Sequence, residues 1–121
     1  MKWYLDFGHG GKDSGAVGTN QTKESDTVLK IGKLIKANLE KSNEKVITTR
    51  DTDVYFSLDY RGNKANNENC DYFVSLHMNA ATNNTAKGVE VWVRFRSPAD
   101  LFFCTSQVKL PRIFHQNSDC R

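Results

Sequence analysis

Two histidines and one glutamate, His9, Glu24 and His77, are the side chains in this sequence best suited to shared chemistry. Neutral imidazole nitrogens and an ionised carboxylate are donors that zinc takes at ~2.0–2.2 Å, and two His with one carboxylate leave a fourth position open. Zinc held this way lowers the pKa of its water towards ~7 and polarises a carbonyl, which suits hydrolysis. Gly8, Gly10 and Gly11 flank His9, so the backbone there can bend sharply and a ligand can approach closely. Each residue also has an ordinary explanation. A histidine after a strand is commonly a loop residue, a glutamate in a first helical turn serves the helix dipole, and a strand-end histidine can simply be half-buried.

For the three to meet, the elements between them must deliver them to one edge. Residues 2–7 are apolar and aromatic and predict a strand that ends in the glycine run. A Gly, Asn and Thr-rich loop covers 12–22. A helix is expected over 23–41, with Thr22 as its N-cap and Val28, Ile31, Ile35 and Leu39 as its buried stripe. Residues 45–49 predict a β-branched strand and 50–53 a polar turn. Ser57 opens a second helix, with Leu58, Arg61 and Ala65 packing or pointing inward. Residues 72–77 and 89–93 predict two further strands. The alternation implies an α/β fold, a mainly parallel sheet with helices on both faces. In such a sheet His9 and His77 fall at the carboxyl edge, where the first helix also begins. Glu24, one turn before Val28, joins them where open α/β sheets place their ligands.

Composition narrows the class. The hydrophobic fraction is 38% and the charged fraction 26%, ordinary for one globular domain. The net charge of +3 lies in the tail: residues 1–93 hold 12 basic and 12 acidic side chains, residues 94–121 hold 5 and 2. That is too little clustered basicity for nucleic acid. No run approaches the ~20 apolar residues of a membrane span, so no membrane insertion is expected. Met1 leads straight into the first strand without a basic-then-apolar leader, so synthesis in the cytoplasm is expected. Cys70, Cys104 and Cys120 are odd in number and lack metal-ligand spacing. We read Cys70 as a reduced thiol. Asp6 reads as a strand-end carboxylate, or as a partner that orients His9. Glu90 reads as structural, Tyr55 and Phe56 as core or surface cover, and His115 as a poor ligand candidate.

The stretches around these residues resemble a known family. Asp6 to Ala16, DFGHGGKDSGA, is similar to the D-x-G-H-G-G-x-D-x-G-A opening of zinc-dependent N-acetylmuramoyl-L-alanine amidases. Lys23 to Asp26, Thr49 to Asp53 (TRDTD), Ser75 to Ala80 (SLHMNA) and Lys87 to Trp92 (KGVEVW) resemble further motifs of that family, in order, across residues 1–93. The resemblance implies zinc on His9, Glu24 and His77, with Asn79 as a substrate-binding residue. It also implies hydrolysis of the amide between N-acetylmuramic acid and L-alanine in peptidoglycan. A phage or prophage lysin, or a mother-cell enzyme, acting on the wall after holin-type release would be in keeping with the missing leader.

Residues 94–121 depart from the pattern. The resemblance implies further strands and helix there, and a second, catalytic glutamate near the domain's end, which nothing in this tail matches. Arg94 onward reads as a chain that has left its frame or been joined to unrelated sequence. Two segments are therefore expected: 1–93 as the front of an amidase catalytic domain, and 94–121 as an unmatched tail that leaves the sheet incomplete. The alternative function is a catalytically dead zinc-binding remnant.

Overall fold

The computed structural model describes residues 1–80, residue 88 and the strand residues 94–96 and 102–104. They fall in two units, Met1–Ala80 and Ala81–Arg121. The first runs β1 (Lys2–Phe7), α1 (Glu24–Lys41), β2 (Lys45–Thr48), α2 (Leu58–Asn67) and β3 (Tyr72–Leu76). Strand β1 is central and pairs in parallel with both neighbours, from Lys2↔Lys45 to Leu5↔Thr48 and from Trp3↔Tyr72 to Phe7↔Leu76. The α/β class and the parallel sheet are as expected. The carboxyl ends of β1 and β3 therefore lie side by side, with His9 and His77 just past them.

Side-chain alternation along β1 gives each face its own helix. Leu5 and Phe7 are buried with Val28 of α1, and Ile35, Leu39, Val46 and Val74 pack around them. Asp6 points the other way, to Arg61 of α2.

Three local expectations are corrected. The buried stripe of α1 runs through Glu24, Ser25, Val28 and Gly32, while Ile31 is exposed. Gly32 faces the sheet because Phe7 occupies the space a side chain would need. Thr22 does not cap α1: Lys23 is the N-cap residue, with no side-chain cap bond. The first amides of the helix instead donate to the loop, Glu24 N to Ala16 O at 2.8 Å and Ser25 N to Ser14 O at 3.0 Å. Leu58 does not pack inward and is 85% exposed. Ser57 caps α2 as expected, accepting from Tyr60 N, and Arg61 and Ala65 are buried.

The second unit contains β4 (Arg94–Arg96) and β5 (Phe102–Cys104), paired antiparallel with Phe95 opposite Phe103. No strand is expected there from sequence pattern, because three-residue strands are too short to show alternation. The strand expected at 89–93, Glu90 within it, and His115 lie outside the described residues.

The Gly32 contact yields a prediction. Alanine favours a helix over glycine by ~1 kcal/mol, but forcing a methyl against a packed ring costs ~1–3 kcal/mol. Gly32→Ala should therefore lower the melting temperature. A rise would mean that Phe7 does not fill that space.

Candidate metal centre

The sheet edge, the β1–α1 loop and the start of α1 bring three ligand-type side chains together. His9 Nε2 lies 3.2 Å from Glu24 Oε1, His77 Nδ1 lies 3.2 Å from the same oxygen, and the two ring nitrogens are 3.2 Å apart. Among the described residues this is the group that could hold a metal ion. Tetrahedral ligands at ~2.0–2.1 Å from zinc stand roughly 3.3 Å from one another, so the spacing fits.

The protonation chemistry fits as well. His9 Nδ1 lies 2.9 Å from Asp13 Oδ2. A neutral His9 that donates there presents a bare lone pair at Nε2. Glu24 Oε1 is also an acceptor. Two acceptors 3.2 Å apart in a half-buried site repel each other unless a proton or a metal cation lies between them.

Glu24 is locked in place. It is 7% exposed, its Oε2 accepts from Ala16 N at 2.9 Å, and its Oε1 accepts from Met78 N at 2.7 Å. Burial by itself would raise this carboxyl, but the two amides and the histidines outweigh it and hold the pKa below the ordinary value. Glu24 is thus an anion with both oxygens engaged, suited to holding a cation and poorly suited to moving protons. The reason lies in the loop. Gly15, at φ +64°, packs where a Cβ would come within 2.6 Å of His9 Cδ2 and 2.8 Å of Glu24 Oε2. A side chain there would push the two ligand-type groups apart.

His9 itself sits at φ +57°, a left-handed conformation that non-glycine residues adopt rarely. The surroundings over-determine it. Its carbonyl accepts from Arg61 Nη2 at 3.0 Å, and its ring is held by Asp13. Asp13 is fixed in turn, with Oδ1 accepting from Gly15 N at 3.0 Å. The His9 ring and the Gly15 amide hold its carboxyl below the ordinary carboxylate range.

Asp6 does not orient His9. It is buried on the opposite side of the strand, accepting from Thr49 Oγ1 at 2.6 Å, Arg61 Nη1 at 2.7 Å and Ser75 Oγ at 2.7 Å. The orienting carboxylate is Asp13, which stands in the sequence only as one residue of the DFGHGGKDSGA stretch. The available signal was a carboxylate four residues past a candidate ligand, inside a glycine-rich loop that folds back on itself through Gly10 and Asp13. Arg50, read as part of a polar turn, is fully buried. Asn79 is exposed, two residues past His77. Tyr55 and Phe56 are surface cover, with Lys12 Nζ 4.5 Å from the Tyr55 ring centre and Phe56 stacked on Tyr60. Cys70 is an unpaired, half-buried thiol whose pKa is pushed up by burial. No described helix is long and apolar enough to cross a membrane.

A carboxylate that orients a ligand histidine usually contributes ~10–100-fold to metal affinity. Asp13→Asn should weaken zinc binding by about that factor, measured by competition with a chromophoric chelator. Unchanged affinity would show that the loop alone aims the ring.

Known proteins share this arrangement of elements. The family model described as N-acetylmuramoyl-L-alanine amidase matches residues 4–118. The endolysin of Bacillus phage SPP1 is 48% identical over 90 residues, covering 74% of this chain and 32% of that protein. N-acetylmuramoyl-L-alanine amidase AmiC of Escherichia coli O6:H1 is 44% identical over 89 residues, 73% of this chain and 21% of the relative. Among solved structures, amidase AmiC2 of Nostoc punctiforme superposes with a TM-score of 0.67 at 40% identity, covering 69% of this chain and 47% of that one. The catalytic domain of the amidase CwlV from Bacillus (Paenibacillus) polymyxa superposes with a TM-score of 0.69 at 31% identity, over 72% and 50%. The chain therefore spans about half of these solved relatives and a third or less of these curated ones.

Proposed function

The chain belongs to the N-acetylmuramoyl-L-alanine amidase family, and from that premise we propose that His9, Glu24 and His77 hold a zinc ion that serves hydrolysis of the amide joining N-acetylmuramic acid to L-alanine in peptidoglycan. The carrying observation is the mutual 3.2 Å separation of one carboxylate oxygen and two ring nitrogens. Zinc bound there supplies a Lewis acid that activates water and polarises the scissile carbonyl.

The chain's own residues set the conditions for that chemistry. Asp13 holds the proton on His9 Nδ1 and so keeps Nε2 available as a donor atom. The Ala16 and Met78 amides keep Glu24 ionised and immobile. His77 is half-exposed, which leaves this side of the centre open to a wall fragment, with Asn79 beside it as the substrate-binding residue. Action on the cell wall follows from the substrate, and the likeness to a phage endolysin supports a lytic role.

A second reading is favoured by the way the acidic side chains at the centre are already engaged. We place the amidase-like portion at residues 1–93 and treat 94–121 as a separate segment; curated matches of 88–91 residues support this division, while the family model itself runs on to residue 118. Both oxygens of Glu24 are engaged and Asp13 is committed to His9, so neither is placed to shuttle a proton. General acid–base assistance contributes ~10²–10⁴ in rate. On this reading the 121 residues bind zinc and hydrolyse slowly or not at all.

Purified wall incubated with the zinc-loaded chain distinguishes the readings. One zinc per chain with newly freed L-alanine amino groups supports the amidase. One zinc per chain without release supports the remnant. Absence of zinc binding in the folded chain refutes both.

A further inference from the structure

Arg50 is buried to the last few per cent of its surface, and all its hydrogen bonds go to main-chain carbonyls. Nε donates to Phe7 O at 3.0 Å, Nη1 to Thr52 O at 3.1 Å, and Nη2 to both Gly8 O and Ser25 O at 2.9 Å. No carboxylate among the described residues pairs with it. A buried guanidinium with no carboxylate in direct contact is costly to desolvate, even with Asp53, Asp6 and Asp26 acting on it from further away, and an apolar side chain would fill the space at lower cost. The four carbonyls show what the charge accomplishes. Gly8 immediately precedes His9, and Ser25 immediately follows Glu24. One nitrogen therefore ties the end of β1 to the start of α1, at the residues adjoining two of the three ligand-type groups. Arg61 extends the same tie. It donates to Phe7 O and His9 O, and to Asp6, which accepts in turn from Ser75, two residues before His77.

We propose that Arg50 is a positioning residue of the metal centre, setting the His9–Glu24 spacing by bridging the Gly8 and Ser25 carbonyls. Arg61 carries the constraint on to β3. The proposal rests on the reading of His9, Glu24 and His77 as ligands. It accounts for His9 remaining in a left-handed conformation: three consecutive carbonyls, of Phe7, Gly8 and His9, are pinned by two rigid forks. A lysine cannot reproduce this, because its single nitrogen lacks the planar spread of donors.

The test compares Arg50→Lys with Leu39→Ala. Leu39 packs on the core at the far end of α1, so its truncation destabilises the fold without touching the centre. Zinc affinity is measured by chelator competition at a temperature where circular dichroism shows each protein folded, and cobalt is substituted to read ligand geometry from its visible bands. Arg50→Lys should weaken zinc binding by ~10–100-fold and alter the cobalt bands, while Leu39→Ala leaves both unchanged. Parent-like zinc affinity and cobalt bands in folded Arg50→Lys overturn the proposal. So does equal weakening in Leu39→Ala, which would mean that general stability governs affinity. Should Arg50→Lys fail to fold, solvent exchange of the Arg50 guanidinium protons in the parent decides. Zinc should slow it, since ion and guanidinium hold the same two elements, and equal exchange with and without zinc overturns the proposal. A parent chain that binds no zinc sinks the metal reading itself, a different result from any of these.

Discussion

Replacing His9 or His77 with alanine should give a folded chain that no longer retains zinc through a desalting step. Each histidine supplies one of three donors that stand 3.2 Å apart, and two remaining donors cannot close the site. The loss should exceed the ~10–100-fold expected when only an orienting partner of a ligand is removed, so this substitution and Asp13→Asn should be separable by titration. Stability gives a second reading. A ligand that binds only the folded state raises stability in proportion to the logarithm of its concentration over Kd, so zinc should raise the melting temperature of the parent and leave that of either variant unchanged. Because His9 lies at φ +57°, alanine there adds backbone strain of its own. His9→Asn separates the two effects, since asparagine tolerates the left-handed region. It should keep the parent's zinc-free stability and still lose the ion. Stoichiometric zinc in folded His9→Asn or His77→Ala would remove that residue from the ligand set.

The largest loss of stability should follow from Arg61→Ala. Arg61 and Asp6 form an ion pair at 2.7 Å in which both side chains are 6% exposed. Removing one partner of a buried pair typically costs ~3–5 kcal/mol, because the other charge remains buried and uncompensated. A domain commonly has only ~5–15 kcal/mol in total, and few side chains of this small unit are fully buried. Arg61→Ala should therefore be substantially unfolded at 25 °C, as read by urea titration and near-ultraviolet circular dichroism. Buried ion pairs can often be replaced by apolar pairs at little cost, yet here Asp6→Leu with Arg61→Met should not restore stability. Arg61 also donates to the carbonyls of Phe56, Phe7 and His9, and Asp6 also accepts from Thr49 and Ser75. A double variant as stable as the parent would show that the ion pair is dispensable and that the carbonyls find other donors.

The sequence by itself determined the order of elements from β1 to β3, the parallel sheet and the identity of the three candidate ligands. Those properties follow from local chemistry. Apolar runs mark β1 and β3, the first ending in a glycine run, helical spacing marks α1, and a parallel sheet necessarily sets the residues after two adjacent strands at one edge. Other features were legible only in part. The stripe of α1 has the expected period, but its phase is set by the ring of Phe7, which selects Gly32 over Ile31 for the buried side. Sequence shows periodicity and cannot show which partner ring lies opposite.

Only the tertiary structure decided how the centre is held. Asp13 reaches His9 because the loop closes on itself between Gly10 and Asp13, and Asp6 is drawn instead to Arg61, Thr49 and Ser75. Both are acidic residues within four positions of His9, and the glycine-rich setting of Asp13 is only a signal until the folded loop brings it to the ring. Likewise Arg50 reads as solvated turn chemistry until the fold wraps four carbonyls around it. Side-chain type and spacing fix which groups can act as ligands. Which polar groups are desolvated, and by whom they are satisfied, depends on partners up to 69 residues away along the chain as well as on how nearby loops close, and that information exists only once the chain has folded.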